Sequence, residues 1–326
     1  MGDLIIATPF LQAASGKFAV TLLAKPYAND LRRRFWPEVT VAPFIAPWTA
    51  FRHKYRMLRW PWRELFGLRQ LARAPFDIGL SARWDPRDHF LLKLLRAEKR
   101  LGFPRLQSQI FLTHPMSRAD PAAHRYENWR VLARALELEL PAREQLPIAA
   151  RPARKEVLVH TGAGQPVRVW PLERYATLIE RLRREGHRVQ LACDPDQRSW
   201  WLDAGETELV TPRTVSELML LIDRAGAFIG NDSGPCHLAA AFGVPTFTLF
   251  GPQLPEWFAP LHPVAEWLEG KPCPYKPCSD YCRFPVAYCM VNTGEDEVWQ
   301  KVSAFLKRRQ VAGITMTGPR VEHESS

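Results

Sequence analysis

The 326-residue sequence contains no long apolar run. A membrane-spanning helix needs about 18 consecutive apolar residues, and no stretch approaches that length, so we expect no such helix. Met1–Phe10 carries an acid where an export signal carries basic residues, so no export signal is expected either. Cysteine is scarce, and six residues in a chain of this length favour reduced thiols or a metal site over a disulfide framework.

The excess of positive charge lies in the first half. Residues 1–150 contain 24 Lys and Arg against 13 Asp and Glu, whereas residues 151–326 contain 20 against 21. This asymmetry favours an anionic partner for the first half, such as an acidic membrane surface or a phosphorylated substrate. An Arg-rich surface that only contacts water is the alternative. Nucleic acid is not expected, because no recognised nucleic-acid-binding motif accompanies the charge.

Strands and helices are predicted to alternate, most clearly in the second half. Strands are predicted at Glu156–His160, His187–Cys193, Ala227–Gly230 and Pro245–Phe250, and helices at Pro171–Leu182, Thr214–Arg224 and Pro235–Phe242. In the first half we predict strands at Phe18–Leu23 and Phe76–Leu80 and helices at Phe90–Arg100 and Tyr126–Leu138. Such alternation is typical of a parallel sheet with helices on both faces.

The length favours two domains, with a Pro- and Ala-rich linker over residues 140–155. We therefore predict an N-terminal domain over 1–145 and a C-terminal domain over 146–310. Residues 311–326 lack periodicity and are predicted to form a loose tail.

The segment Ile229–Pro245 carries the sharpest sign of a ligand site. A predicted strand leads into a short polar turn, and a helix begins at once. The first turn of a helix leaves N–H groups unpaired, which suits a diphosphate. The alternative is structural, with Ser233 as a helix N-cap and His237 packed on the sheet. The candidate binding residues are Asp232, Ser233, Gly234, Pro235 and His237.

A second loop, His160–Trp170, follows the preceding strand of the same predicted sheet. Ligands of open α/β sheets gather at the carboxyl ends of the strands. Arg168 has the charge to neutralise a phosphate, and Thr161 and the glycines Gly162 and Gly164 are expected to pack beneath it.

These segments resemble glycosyltransferase family 9, the lipopolysaccharide heptosyltransferases. The resemblance covers most of residues 2–307 and is most specific in the second half. It is carried by His160-Thr-Gly, Arg168-Val-Trp-Pro171, Gly230–Ala239, Leu249-Phe-Gly-Pro252, the N-terminal Gly2-Asp3 with Thr8-Pro9, Phe76-Asp-Ile and Lys99–Phe103.

The resemblance implies an α/β fold of the GT-B type, with two Rossmann-like α/β/α domains facing a cleft. It further implies inverting sugar transfer from a nucleotide sugar, commonly ADP-heptose, to a lipid-linked saccharide of the lipopolysaccharide core. No catalytic cofactor is implied. The protein would work in the cytoplasm, as a peripheral protein on the inner face of the cytoplasmic membrane. A catalytically silent homologue that binds a nucleotide sugar or glycolipid as a scaffold is the rival hypothesis.

Residue roles also follow from the resemblance. Asp3 aligns with the carboxylate proposed as general base, although it could instead be a helix N-cap. Arg168 stands where the family often has a Lys that contacts the donor phosphates. Gln197 or Asp196 lies near the position of an acid that reaches the ribose. The family normally has an apolar strand before its Gly-Asp pair, so we expect a first strand upstream of Gly2.

Four cysteines cluster near the C-terminus and could hold a structural zinc as thiolates. Their spacing lacks paired C-x2-C knuckles, so free thiols or a disulfide remain alternatives. The cluster consists of Cys273, Cys278, Cys282 and Cys289.

Residues 51–75 carry seven basic residues and one acid, interleaved with aromatic and aliphatic residues. This composition suits an anionic membrane surface or the phosphates of a glycolipid acceptor. A solvated cationic helix with its apolar residues packed inward is the alternative. The basic residues are Arg52, Lys54, Arg56, Arg59, Arg63, Arg69 and Arg73.

Overall fold

Strands and helices alternate along most of the chain in the computed structural model, which describes residues 1–46, 48, 62–147, 151, 152 and 154–315. These residues divide into two compact units, one of residues 7–141 and one of residues 1–6 together with 142 onward. The predicted domain limits differ from this division chiefly in the first six residues, and they stay a prediction. Among the described residues, no helix combines the length and apolar character needed to cross a bilayer.

The unit of residues 7–141 contains two parallel sheets. Strand β1 pairs with β2, whereas β4 pairs with both β3 and β5. Leu68, Leu91 and Leu95 pack with Phe44 in its core. The expected upstream strand stays a prediction. The elements, with α1 of the other unit, are α1 (Gly2–Ile6), α2 (Thr8–Ser15), β1 (Thr21–Ala24), α3 (Ala28–Phe35), β2 (Thr40–Pro43), α4 (Trp62–Leu71), β3 (Ile78–Ser81), α5 (Pro86–Leu94), β4 (Lys99–Gly102), β5 (His114–Pro115) and α6 (Tyr126–Ala135).

The helix predicted over Phe90–Arg100 is wrong at both ends. Helix α5 begins earlier because Asp85 caps it, its carboxylate accepting a hydrogen bond from the Arg87 N–H at 3.0 Å. The helix ends at Leu94, and Arg96 then adopts a left-handed backbone with φ of 60°. The chain continues as β4 because residues 99–102 pair with β3.

Part of the basic segment lies outside the described residues, namely 51–61. The part that follows forms α4, on which Leu68 is buried and Phe66 is exposed. At the other end of the chain, the last helix runs to Thr315, so the first residues of the predicted tail are helical. Residues 316–326 lie outside the described residues.

The second unit contains a six-stranded parallel sheet in the order β11-β10-β9-β6-β7-β8. The strands and helices predicted in this half are confirmed, with ends within two residues. The elements are β6 (Glu156–His160), α7 (Leu172–Arg184), β7 (Arg188–Ala192), α8 (Arg198–Asp203), β8 (Leu209–Val210), α9 (Val215–Arg224), β9 (Ala225–Asn231), α10 (Gly234–Ala241), β10 (Thr246–Phe250), α11 (Pro255–Phe258), β11 (Ala265–Glu269), α12 (Tyr288–Val291) and α13 (Glu295–Thr315).

The strand order reverses at the centre of this sheet. From β6 the chain proceeds to β7 and β8 on one side, and from β9 it proceeds to β10 and β11 on the other. Because β6 and β9 pair directly and in parallel, the loops that follow them begin side by side. Such a switch point is where open α/β sheets bind ligands.

A bulge in β9 depends on a glycine. Glu156 pairs with Ala225 and Val157 with Ala227, which leaves Gly226 as the extra residue. A side chain at Gly226 would overlap the carbonyl group of Arg154.

We therefore expect Gly226→Ala to lower the free energy of unfolding by about 1–3 kcal/mol, because the backbone must shift to admit one methyl group. Urea unfolding measures the change. Gly164→Ala is the matched control, since a methyl group there meets no heavy atom within 4 Å. Equal stability of the two variants would show that the bulge is not sterically constrained.

Candidate functional site

The loops after β6 and β9 are joined by one buried amide. The Asn231 side chain donates to the carbonyl oxygen of Thr161 at 2.8 Å. Its Oδ1 accepts from the Tyr175 hydroxyl at 2.9 Å and from the Trp170 N–H at 3.1 Å. Asn231 is fully buried, so these bonds hold both loops in register. Asn231 was not among the site residues predicted from the sequence, although an amide at the end of a predicted apolar strand could have indicated it.

Arg168 lies at the centre of a group of acids. Its Nε and Nη2 donate to the two carboxylate oxygens of Asp280 at 2.8 and 2.7 Å, and its Nη1 donates to Asp232 Oδ2 at 3.0 Å. Both carboxylates are almost fully buried. Burial lowers the pKa of Arg168, but the hydrogen bonds and charges of its acidic neighbours outweigh this and raise it. Sequence reasoning found Arg168 and Asp232 but missed Asp280.

Asp3 belongs to the same group of charges. Its carboxylate contributes to the raised pKa of Arg168 and to that of Asp232. Asp3 is exposed and lies within α1, which packs on α10, so it is inside a helix rather than at its N-cap. Gly2 lies close to the His237 ring, and Met1 covers Gly234, so the face of Gly234 expected to meet an anion contacts Met1 here.

The start of α10 carries an unused hydroxyl. Ser233 occupies the N-cap position, but its side chain makes no capping hydrogen bond. Its Oγ is buried and has no hydrogen-bond partner among the described residues. The capping role considered for Ser233 is therefore not seen, and the hydroxyl is free to bind a ligand at this helix end.

His237, in the first turn of α10, is neutral. Burial chiefly lowers its pKa to about 3, with the N-terminal ammonium group and Arg168 acting in the same direction. Its Nδ1 is buried without a partner among the described residues. The neutral His237 ring can therefore form a hydrogen bond with a ligand through Nδ1, but it supplies no positive charge.

The loop after β6 is tied to the loop after β7. The Thr161 hydroxyl donates to Gln197 Oε1 at 2.8 Å, and Gln197 Nε2 donates back to the Thr161 carbonyl at 3.2 Å. A side chain at Gly162 would overlap the Asp194 carboxylate. Gln197 thus braces the loop, and its predicted donor contact stays a prediction. Asp194, which sequence reasoning missed, is the acid beside Gly162, and it directly follows a predicted strand.

The four clustered cysteines line one small cavity together with Tyr275 and Phe284. All four thiols are free. Among the described residues, no three or more His, Cys, Asp or Glu side chains are arranged to hold a metal ion. The structural zinc therefore stays a prediction.

Comparisons with known sequences and structures identify the family of this chain. The model of glycosyltransferase family 9 (heptosyltransferase) matches residues 68–284. The chain belongs to glycosyltransferase family 9. This family 9 chain is 34% identical over 178 residues to lipopolysaccharide heptosyltransferase 1 of Pseudomonas aeruginosa, covering 49% of this chain and 50% of the relative. It is 33% identical over 112 residues to lipopolysaccharide heptosyltransferase 2 of Salmonella typhimurium, covering 29% and 30%.

The matched segments thus span half or less of the length of these curated relatives. Similarity in fold extends further. The fold of this chain aligns with the solved structure of Escherichia coli heptosyltransferase WaaC with ADP at a TM-score of 0.71 and 17% sequence identity. The alignment covers 93% of this chain and 96% of the WaaC chain. The predicted α/β fold of the GT-B type is confirmed.

The raised pKa of Asp232 predicts a pH dependence of stability. Burial, which is nearly complete, raises its pKa to about 6, Arg168 opposes the rise, and the charges of Asp280 and Asp3 add to it. Lys276 also acts on it and lowers its pKa.

The pKa of Asp232 is about 6 in the folded state and 3.8 in the unfolded state. Between these two pH values the folded protein therefore keeps the Asp232 proton, whereas the unfolded chain has lost it. We expect the stability of the parent protein, relative to Asp232→Asn, to rise as the pH falls through about 6. Urea unfolding of both proteins across this range tests it. His237 and His262, whose pKa values are lowered to about 3 and about 4, oppose the trend in both proteins and cancel in the difference. A difference that does not vary with pH would contradict the assignment.

Proposed function

We propose that this family 9 chain transfers a heptose, or a related sugar, from a nucleoside diphosphate donor to a saccharide of the lipopolysaccharide core. ADP-heptose is the proposed donor, and the anomeric configuration is inverted. Family membership and the names of the curated relatives support the reaction class. One observation carries the proposal, namely that Asp3 and Arg168 share a cluster of charges beside the start of α10.

Asp3 is suited to the acceptor side of the reaction. Its side chain is exposed, whereas Asp232 is almost fully buried and bonded to Arg168. As general base, the Asp3 carboxylate takes the proton of the attacking acceptor hydroxyl. The hydroxyl oxygen forms its bond to the anomeric carbon on the face opposite the diphosphate, which inverts that centre.

Arg168 and the start of α10 are suited to the donor side. As the bond between the anomeric carbon and the diphosphate oxygen breaks, its electron pair leaves with the diphosphate. The guanidinium of Arg168, the Ser233 hydroxyl and the Gly234 N–H at the start of α10 can stabilise that charge. No catalytic metal is proposed, because Arg168 and the start of α10 are assigned the role of stabilising the leaving diphosphate.

Arg168→Ala is expected to lower kcat by about 10²–10³-fold and to change acceptor KM little, because the charge matters most as the diphosphate departs. ADP release from ADP-heptose in the presence of core acceptor measures turnover. Arg181→Ala is the matched control, because Arg181 also pairs with an aspartate at 2.7 Å and is 28% exposed against 23% for Arg168.

An unchanged kcat with weaker acceptor binding would place Arg168 outside the donor site. Donor binding by the parent protein without any turnover would favour the scaffold hypothesis instead.

EDTA should leave turnover unchanged, and loss of activity that Mg²⁺ restores would contradict the metal-free mechanism.

We also propose that the basic segment 51–75 holds the protein on the cytoplasmic face of the inner membrane through anionic lipid or glycolipid. The support is its seven positive charges with interleaved tryptophans. Each charge contributes about 1 kcal/mol at most near an anionic surface, and salt screens it over about 10 Å.

Replacing four arginines of this segment with Gln should therefore abolish sedimentation with anionic vesicles at moderate salt, and high salt should have the same effect on the parent protein. ADP binding should not change. A control with the same loss of charge replaces Arg184, Arg188, Lys301 and Lys307, which are exposed in the other unit. Equal sedimentation of the variant and the parent would leave the segment as a solvated surface. The arginines replaced in the test variant are Arg52, Arg56, Arg59 and Arg63.

A structural zinc at the four cysteines is a separate proposal. Its support is that all four thiols line one cavity. Metal analysis of the purified protein, before and after a chelator, tests it together with the melting temperature.

A further inference from the structure

The Arg168 guanidinium is already bound as an anion would bind it. Asp280 meets Nε and Nη2 with both carboxylate oxygens, at 2.8 and 2.7 Å, while Asp232 takes Nη1. Arg binds phosphate oxygens through the same paired N–H groups. The donors proposed to hold the diphosphate are therefore occupied by protein carboxylates.

Asp280 reaches Arg168 from a distant part of the sequence. It lies in the cysteine-rich loop, between Cys278 and Cys282, and 112 residues separate it from Arg168. Ser279 and Asp280 both adopt left-handed backbones, with φ of 50° and 69°. Residues with side chains rarely adopt this conformation, and two in succession persist only where the surroundings hold them. The contact with Arg168 is one such restraint, since the Asp280 side chain is only 5% exposed.

Repulsion between like charges disfavours the presence of Asp280 and a diphosphate at Arg168 at the same time. Asp3, Asp232 and Asp280 surround one guanidinium, and the nearby Lys276 is itself paired with Glu269 at 2.7 Å. A diphosphate brings further negative charge to the same N–H groups. Like charges at such distances repel strongly where water is excluded.

We propose that Asp280 is a positioning residue that stands in for the donor diphosphate. In the ligand-free protein it holds the Arg168 guanidinium extended and desolvated, and the incoming diphosphate displaces it together with its loop. This inference rests on the proposed donor site. The competing explanation is a purely structural ion pair that fastens the cysteine-rich loop and stays intact when nucleotide binds.

Calorimetric titration with ADP at about pH 8, where carboxylates and phosphates are ionised, separates the two explanations. Asp280→Asn removes the competing charge at nearly constant shape, so it should lower the Kd for ADP by about tenfold, the worth of one charge-assisted hydrogen bond. In an Arg168→Ala background the same substitution should change the Kd little. Asp296→Asn, which breaks the exposed pair with Arg181, is the matched control and should leave the Kd unchanged.

Equal or weaker ADP binding by Asp280→Asn would overturn the inference, as would the same gain in the Arg168→Ala background. No binding of ADP by either the parent or Asp280→Asn would overturn the proposed donor site and this inference with it. Hydrogen exchange on the parent protein needs no variant to fold. ADP should speed exchange in the loop around Asp280, and unchanged or slower exchange there would contradict displacement.

Discussion

The direct pairing of β6 with β9 is the constraint on which the candidate site depends. It makes the centre of the six-stranded sheet a switch point, so that loops distant in sequence start next to each other. Two local devices maintain the pairing. Gly226 forms the bulge that accommodates the start of β9, and the Asn231 amide fastens the loop after β6 to the end of β9. The position of Arg168 follows, because its short turn lies between the Thr161 backbone and Trp170, both of which Asn231 holds.

The electrostatic balance around Arg168 is the second constraint. Three carboxylates act on one guanidinium, so the cluster has a shortage of positive charge. The raised pKa of Asp232 comes chiefly from its burial, and the charges of Asp280 and Asp3 add to it. His237 does not relieve the shortage, since burial keeps it neutral. The start of α10 can contribute to the compensation for an anionic ligand through its dipole and the Gly234 N–H, since Pro235 has no N–H and the Cys236 N–H donates to the Ser233 carbonyl at 3.2 Å. The unbonded Ser233 hydroxyl lies at the same helix end, which is consistent with a ligand that completes its hydrogen bonds.

The second half of the fold could be predicted because its signals are local. Apolar strands, helix-stopping glycines and the Thr214 cap all act within a few residues, and Thr214 does accept from the Glu217 N–H at 3.1 Å. The end of α5 could not be predicted in that way, because its left-handed position is held by Arg96, where glycine is usual, and the Ala97 N–H donates to the Leu92 carbonyl at 3.2 Å. Arg168 and Asp232 lie in the loops that the motifs marked. Asp280 lies in a loop with no such motif, and only the folded chain brings it to Arg168.

A protein carboxylate beside the proposed phosphate-binding arginine has a physical rationale. A long, unpaired cationic side chain in a buried site would be desolvated without compensation, or would rotate toward water and lose its orientation. Pairing with Asp280 avoids both outcomes by holding the guanidinium plane in a single orientation. A diphosphate that replaces Asp280 then exchanges one anion for another, so binding requires neither a new cation nor a rearranged arginine. Such an exchange suits the metal-free transfer proposed for this site, because the stabilising charge is in position before the donor arrives.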